Sequence, residues 1–122
     1  MRYTKIFADE EGETHFIDVE VELESVDYAP PAPPLNLSSF NPATQYALAV
    51  APPGWFGDWH PTPCRQILFY LSGEVEVQVS DGEVRRFGAG SVVLVEDTTG
   101  KGHVSRVLGS MENAVTMVHL PD

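Results

Sequence analysis

Between Phe16 and Ser25 the chain alternates strictly: Ile17, Val19, Val21 and Leu23 are apolar, and Asp18, Glu20, Glu22 and Glu24 fill the other positions. A period of two marks a strand with one dry face and one wet face, and carboxylates on the wet side discourage edge-to-edge pairing. From Gln45 onward short strands follow in series. "QYALAV" (45–50) is one; "QILFYLS" (66–72) is nearly all apolar, which predicts a strand covered on both faces. "EVEVQV" (74–79) alternates through Val75, Val77 and Val79, and the "SDGE" after it predicts a hairpin turn, because Asp-Gly tolerates positive φ. "VRRFGAG" leads through two glycines into "SVVLVE", and "HVSRVLG" and "AVTMVHL" close the series. No stretch shows long helical periodicity. Eight or more short strands with turns between them predict an all-β sandwich or barrel.

One segment breaks the series. "YAPPAPPLNLSSFNPAT" (28–44) holds Pro30, Pro31, Pro33, Pro34 and Pro42. Proline lacks an amide donor and fixes φ, so this is neither helix nor central strand. It predicts an extended, Pro-rich crossing whose Leu35, Leu37 and Phe40 pack against the body.

A chain of 122 residues suits one domain, 1–122, large enough to hold a core without a disulfide. The lone Cys64 cannot form an internal bridge. With no apolar leader at "MRYTKIFADEEGE" and no membrane-length apolar run, a reducing cytoplasm is the expected compartment. The formal net charge of −11 argues against nucleic acid, whose phosphates demand clustered Lys and Arg, and against anionic membranes. Open sheet edges on a small barrel lead us to expect a homodimer.

The chemistry concentrates in "GWFGDWHPTPCRQILFYLSG". Gly54 is followed after five residues by His60, then by Thr62, by Gln66, and six residues later by Gly73. Further on, Gly90 opens "GSVVLVEDTTGKGHVSRV", which carries Glu96 and, after a longer loop, His103 and Val107. This pair of motifs resembles those of the cupin superfamily, RmlC-like double-stranded β-helix (jelly-roll) barrels. In the family's first motif two histidines and a glutamate follow the glycine. Here Thr62 stands at the second histidine and Gln66 at the glutamate. In the second motif Glu96 replaces a proline, His103 arrives two residues late, and Val107 replaces an asparagine. The likeness covers about 45–119, with the N-terminal third as extra strands and the crossing. "EDTTGKGH" is also similar to a subgroup of small bacterial and fungal cupins, a likeness that implies no particular reaction.

The resemblance implies inward-facing motif residues and, in the family, a divalent Fe, Mn, Ni or Zn, for which His60, His103 and Gln66 are the candidate ligands. Two imidazoles suit such ions, but Gln66 brings no charge, and an ion in a half-dry cavity then lacks compensation. Asp97 could restore it if its loop folds inward. Without metal, His60 and His103 can act as acid and base near physiological pH, as in isomerase or lyase chemistry, with oxygenation requiring iron. Thr62, Gln66, Asp97, Thr98 and Trp59 are the expected ligand contacts, with Trp55 and Phe56 as wall or lid. The alternative is a small-ligand binding or sensor module without catalysis. His15 and His119 have no motif support, a Cys64 nucleophile has no visible base partner, and "TTGKG" lacks the sequence and following helix of a phosphate loop.

Overall fold

In the strand Glu74–Val79 the odd positions, Val75, Val77 and Val79, are buried, and the even ones face outward. That alternation, repeated, builds the computed structural model, which describes residues 1–122. The strands are β1 (Arg2–Ala8), β2 (Thr14–Glu20), β3 (Glu24–Val26), β4 (Leu35–Leu37), β5 (Gln45–Ala51), β6 (Phe56–His60), β7 (Gln66–Tyr70), β8 (Glu74–Val79), β9 (Val84–Gly88), β10 (Val92–Val95), β11 (His103–Leu108) and β12 (Asn113–His119). A six-stranded sheet, β2-β1-β10-β7-β12-β5, faces a four-stranded one, β6-β11-β8-β9. Their inner faces share one core, in which Ile6, Phe16, Tyr70, Val93 and Val95 meet Val75, Val77, Val79, Phe87 and Val107. This is an all-β jelly roll, as expected.

The N-terminal strands are integral to it. β1 runs parallel to β10, with Ile6 opposite Val95, and β2 pairs with β1 along its whole length. The segment 45–119 therefore lacks two of the six strands and two core side chains.

Three expectations need correction. In β2 the inward positions are Thr14 and Phe16, not the odd-numbered aliphatics, and Ile17 is 44% exposed. Phe16 stands opposite Ile6 and packs edge-on to Phe87. Asp18, on the same side as Phe16, binds Arg85, whose guanidinium lies over the Phe16 ring. The larger aromatic thus sets the strand's orientation, and the strand ends at Glu20. In β7 only one face is covered: Gln66 and Tyr70 are buried, but Phe69 is exposed. The crossing does not pack either. β3 and β4 form a separate two-stranded arm, and Leu35 and Phe40 are exposed.

The site is positioned by a close crossing of backbones. His103 opens β11 opposite His60, the last residue of β6, and Gly102 lies directly against the His60 carbonyl and the Pro61 nitrogen. A methyl on Gly102 would overlap those atoms, and its φ of +75° is one that L-residues avoid. Three of the bonds that hold the loop 96–102 lie at this crossing. The Thr62 N–H donates to the Asp97 carbonyl (3.0 Å), the Lys101 N–H to the Gly12 carbonyl (2.9 Å), and the Thr14 hydroxyl to the Gly102 carbonyl (2.6 Å). Gly102→Ala should therefore cost well over the ~1–2 kcal/mol of a left-handed alanine. Gly54→Ala, with φ +78° and open space around it, should cost only about that much. Urea denaturation checks the pair, and equal losses would contradict the crossing.

A second clamp ties the hairpin turns together. His15 Nε2 meets Asp9 (2.7 Å) and Nδ1 meets Asp81 (2.8 Å). The bond to Asp9, then that to Asp81, holds His15 protonated above its ordinary value. The bond from His15 lowers Asp9, and the Glu83 N–H, with His15, lowers Asp81. A raised histidine contributes stability that is complete below its unfolded pKa of ~6.5 and is lost as pH climbs through the folded value. The lowered carboxylates contribute above ~3.9 and lose their share as pH falls. His15→Gln should thus destabilise most between about pH 4 and 6.5 and progressively less as pH rises above that window. A pH-independent difference in urea midpoint would contradict this.

Candidate functional site

Between the sheets lies a cavity of about 330 Å³. Its wall is mostly apolar: Leu68, Tyr70 and Val93 from one sheet, Val75, Val77 and Val107 from the other, with Val115 and Met117 of β12. Burial alone pushes the Tyr70 phenol up, so it remains neutral. The polar residues His60, Thr62, Gln66, His103 and Ser105 also line it. Asn113 lines it too, at the end of β12 remote from His119, which pairs with Gln66; its amide is spent on the Ser72 carbonyl (2.9 Å).

Strand ends and their parity place the polar group. Gln66 starts β7 and is buried with the inward-facing Leu68 and Tyr70. His103 and Ser105 share one face of β11, where a register irregularity lies between them. The two imidazoles sit with ring centroids 4.8 Å apart, tilted by 55°.

Each ring is fixed through Nδ1. His103 Nδ1 donates to the Asp97 carboxylate at 2.7 Å, and His60 Nδ1 donates to the Asp58 carbonyl at 2.5 Å. In a neutral imidazole one nitrogen carries the proton and the other a lone pair. Both histidines are thereby set as Nδ1–H tautomers, leaving each Nε2 as an acceptor. Thr62 donates its hydroxyl to the Cys64 carbonyl (2.7 Å) and accepts the Gln66 amide (3.0 Å). Gln66 Oε1 and the second carboxylate oxygen, Asp97 Oδ1, are buried without a partner. The polar groups are thus set largely as acceptors.

The fold brings His60, His103, Thr62 and Gln66 together on one cavity. It does not bring the other expected contacts there. Asp97 is fully buried and holds the back of His103 rather than facing the cavity. Thr98 lies exposed on the loop, outside the lining, because Asp97 takes the inward turn. Trp59 and Phe56 are exposed and outside the lining, since Gly57 and His60 are the inward positions of β6; of the three aromatics expected at the cavity, Trp55 alone lines it. Cys64 does not line the cavity. His119 is tied to the Gln45 side chain (3.1 Å) at the rim. Ser105, Tyr70 and Asn113 were missed; for Ser105 the signal was plain, two residues after His103 on the same strand face.

A divalent ion, which the resemblance implies, fits these residues poorly. No three His, Cys, Asp or Glu side chains are grouped at the cavity so as to hold a metal ion. Two neutral imidazoles remain, with the Asp97 carboxylate spent on a histidine and the Gln66 oxygen uncharged. A 2+ charge would lack a direct counter-ion.

No family model matches the sequence, and no curated protein matches it. Among solved structures, the cupin domain of Cnp3 from Schizosaccharomyces pombe is similar over 89% of this chain and 73% of its own, with a TM-score of 0.55 and 15% identity. Protein NMB1881 from Neisseria meningitidis is similar over 62% of this chain and 72% of its own, with a TM-score of 0.44 and 17% identity. The strand order, the two facing sheets and the likeness to the Cnp3 domain agree on one architecture: this chain has the cupin fold.

Proposed function

We propose that the chain binds a small molecule in the cavity between its sheets, and that His103, aligned by Asp97, acts on it as a general base. The observation that carries this reading is the 2.7 Å bond from His103 Nδ1 to a carboxylate with no exposed surface. It costs folding energy to bury a carboxylate. That cost is offset in function if the carboxylate fixes the imidazole's tautomer and then stabilises the imidazolium formed when Nε2 takes a proton, the logic of an oriented catalytic histidine.

The acceptor character of the polar residues supports a ligand class. The complement of two Nε2 lone pairs is a donor, so the ligand carries a hydroxyl, an amine or an acidic C–H on a compact apolar body that fits the aliphatic wall. His60 accepts a second hydrogen bond and positions the ligand. Ser105 and Tyr70 are the cavity hydroxyls with no assigned bond. Proton abstraction followed by return elsewhere gives isomerisation; abstraction with loss of a leaving group gives elimination. Both balance with imidazole alone.

The test is a thermal-shift screen of small hydroxyl and amine compounds, followed by proton NMR of each stabilising compound in D2O. Wild type should exchange an acidic C–H of a bound compound for deuterium, and His103→Ala should slow this by roughly 10²–10⁴. Leu68→Trp, which fills the cavity, should abolish the stabilisation. Binding without exchange would remove the base and leave a non-catalytic binding module; no binding would remove both.

The missing charge has its own test. Gln66→Glu adds a carboxylate at nearly unchanged volume. Coulomb attraction between unit charges ~4 Å apart is ~4 kcal/mol at an effective dielectric near 20, of which desolvation returns part. Calorimetric titration with Zn(II) or Mn(II) should show at least a tenfold gain over wild type, about 1.4 kcal/mol. Equal affinities would mean that the position 66 side chain does not reach an ion held by the two histidines.

A further inference from the structure

No residue that lines the cavity is Lys, Arg, Asp or Glu. One acidic group stands just behind the wall: the Asp97 carboxylate, fully buried, bonded through one oxygen to His103 Nδ1 and with its other oxygen unpartnered. No Lys or Arg answers it. Glu96, its neighbour in the chain, takes Lys5 and Arg65, and Lys101 of the same loop goes to Glu13. A negative charge is therefore held at the polar end of an apolar-walled cavity, with a neutral imidazole between the two. A ligand carboxylate or phosphate would add a like charge with no guanidinium or ammonium to meet it. A 2+ ion overshoots. A single positive charge matches.

Two further observations say what kind of cation fits. The Gln66 side-chain N–H donates to the Thr62 hydroxyl oxygen, and that hydroxyl is itself committed to the Cys64 carbonyl. The relay fixes which way round the amide stands, so Oε1 is its free end, buried and unpartnered on a residue of the lining. With His60 Nε2 it makes a pair of acceptors that only a donor satisfies. The second observation is at Gly57. A methyl there would stand 2.5 Å from Trp55 Cη2, 2.9 Å from Trp55 Cζ3 and 3.4 Å from His60 Cε1. Gly57 has no positive φ, so what it contributes is the missing Cβ. The notch seats the Trp55 ring over the strand and beside His60, where an aromatic face attracts a cation.

We propose that the cavity selects a primary ammonium carried on a compact apolar body, a specificity that rests on the small-molecule reading above. His60 Nε2 and Gln66 Oε1 accept two of the ammonium N–H bonds. Trp55 covers the charge from the mouth, and Gly57 is the positioning residue that seats it. Asp97 supplies the opposing charge through His103, whose Nε2 is left facing the carbon next to the nitrogen. The aliphatic wall takes the body of the ligand.

Trp59→Phe leaves Trp55 as the sole tryptophan. Its emission is titrated at about pH 8 with cyclohexylammonium, cyclohexanol and cyclohexanecarboxylate, one ring bearing a positive, no and a negative charge. The ammonium should shift the emission and bind roughly tenfold or more tighter than the alcohol, and the carboxylate should not bind. Asp97→Asn and Gln66→Met should each cut the ammonium's lead over the alcohol by roughly tenfold. Gly57→Ala should cut it by roughly threefold and leave the alcohol's affinity unchanged. No response to the ammonium would overturn the proposal, as would an alcohol or carboxylate that binds equally well, or a lead that either Asp97→Asn or Gln66→Met leaves intact. Binding heat that persists in Leu68→Trp would place the cation on the acidic surface and overturn it too. An alcohol that binds as tightly and exchanges a C–H would remove this selectivity and keep the base; an ammonium bound in the cavity without exchange would do the reverse.

Discussion

The polar part of the cavity depends on one steric fact: the backbone at Gly102 lies against the backbone at His60. Only a residue without Cβ permits this approach, and only with it can the start of β11 bring His103 opposite the end of β6. The surrounding bonds serve the same crossing. Thr14 reaches the Gly102 carbonyl, Gly12 receives the Lys101 amide, and Asp97 takes the Thr62 amide on its carbonyl. The N-terminal hairpin, which looked like an addition to a barrel, is therefore part of what holds the site closed.

The second constraint is electrostatic. Asp97 has no exposed surface, gives one oxygen to His103 and leaves the other without a partner. Folding alone does not favour such an arrangement, since a buried carboxylate with an unmet oxygen costs free energy. It resembles the outer partner of a metal-bound or catalytic histidine, whose task is to fix tautomer and ring angle. In this chain the directly facing carboxylate of the family motif is absent, and the negative charge stands one step behind the ring. On the function proposed above, that displacement suits moving a proton better than holding a 2+ ion.

Much of the fold was legible because period-two alternation is imposed by the pleat itself. β5, β8, β9, β10, β11 and β12 lie where their patterns put them. The failures share a cause. For β2 the run of small aliphatics suggested the wrong face, because alternation alone does not say which side meets the core; the ring of Phe16 decided it. For β7 and the arm, apolar composition was read as burial within one chain, whereas these residues face out of the single chain. In the site, motif spacing located His60, Thr62, Gln66 and His103, since spacing fixes strand register. It could not tell Asp97 from Thr98 in an irregular loop, where no period governs which side chain turns in, nor choose among Trp55, Phe56 and Trp59, of which Trp55 alone lines the cavity.

Histidine nitrogen NMR tests the central claim most directly. On uniformly ¹⁵N-labelled protein at alkaline pH, His60 and His103 should each show a protonated Nδ1 and an unprotonated Nε2, and Asp97→Ala should release His103, not His60, into a mixture of tautomers. A wild-type His103 carrying its proton on Nε2 would contradict the account, because the nitrogen assigned to accept the ligand's proton would already hold one.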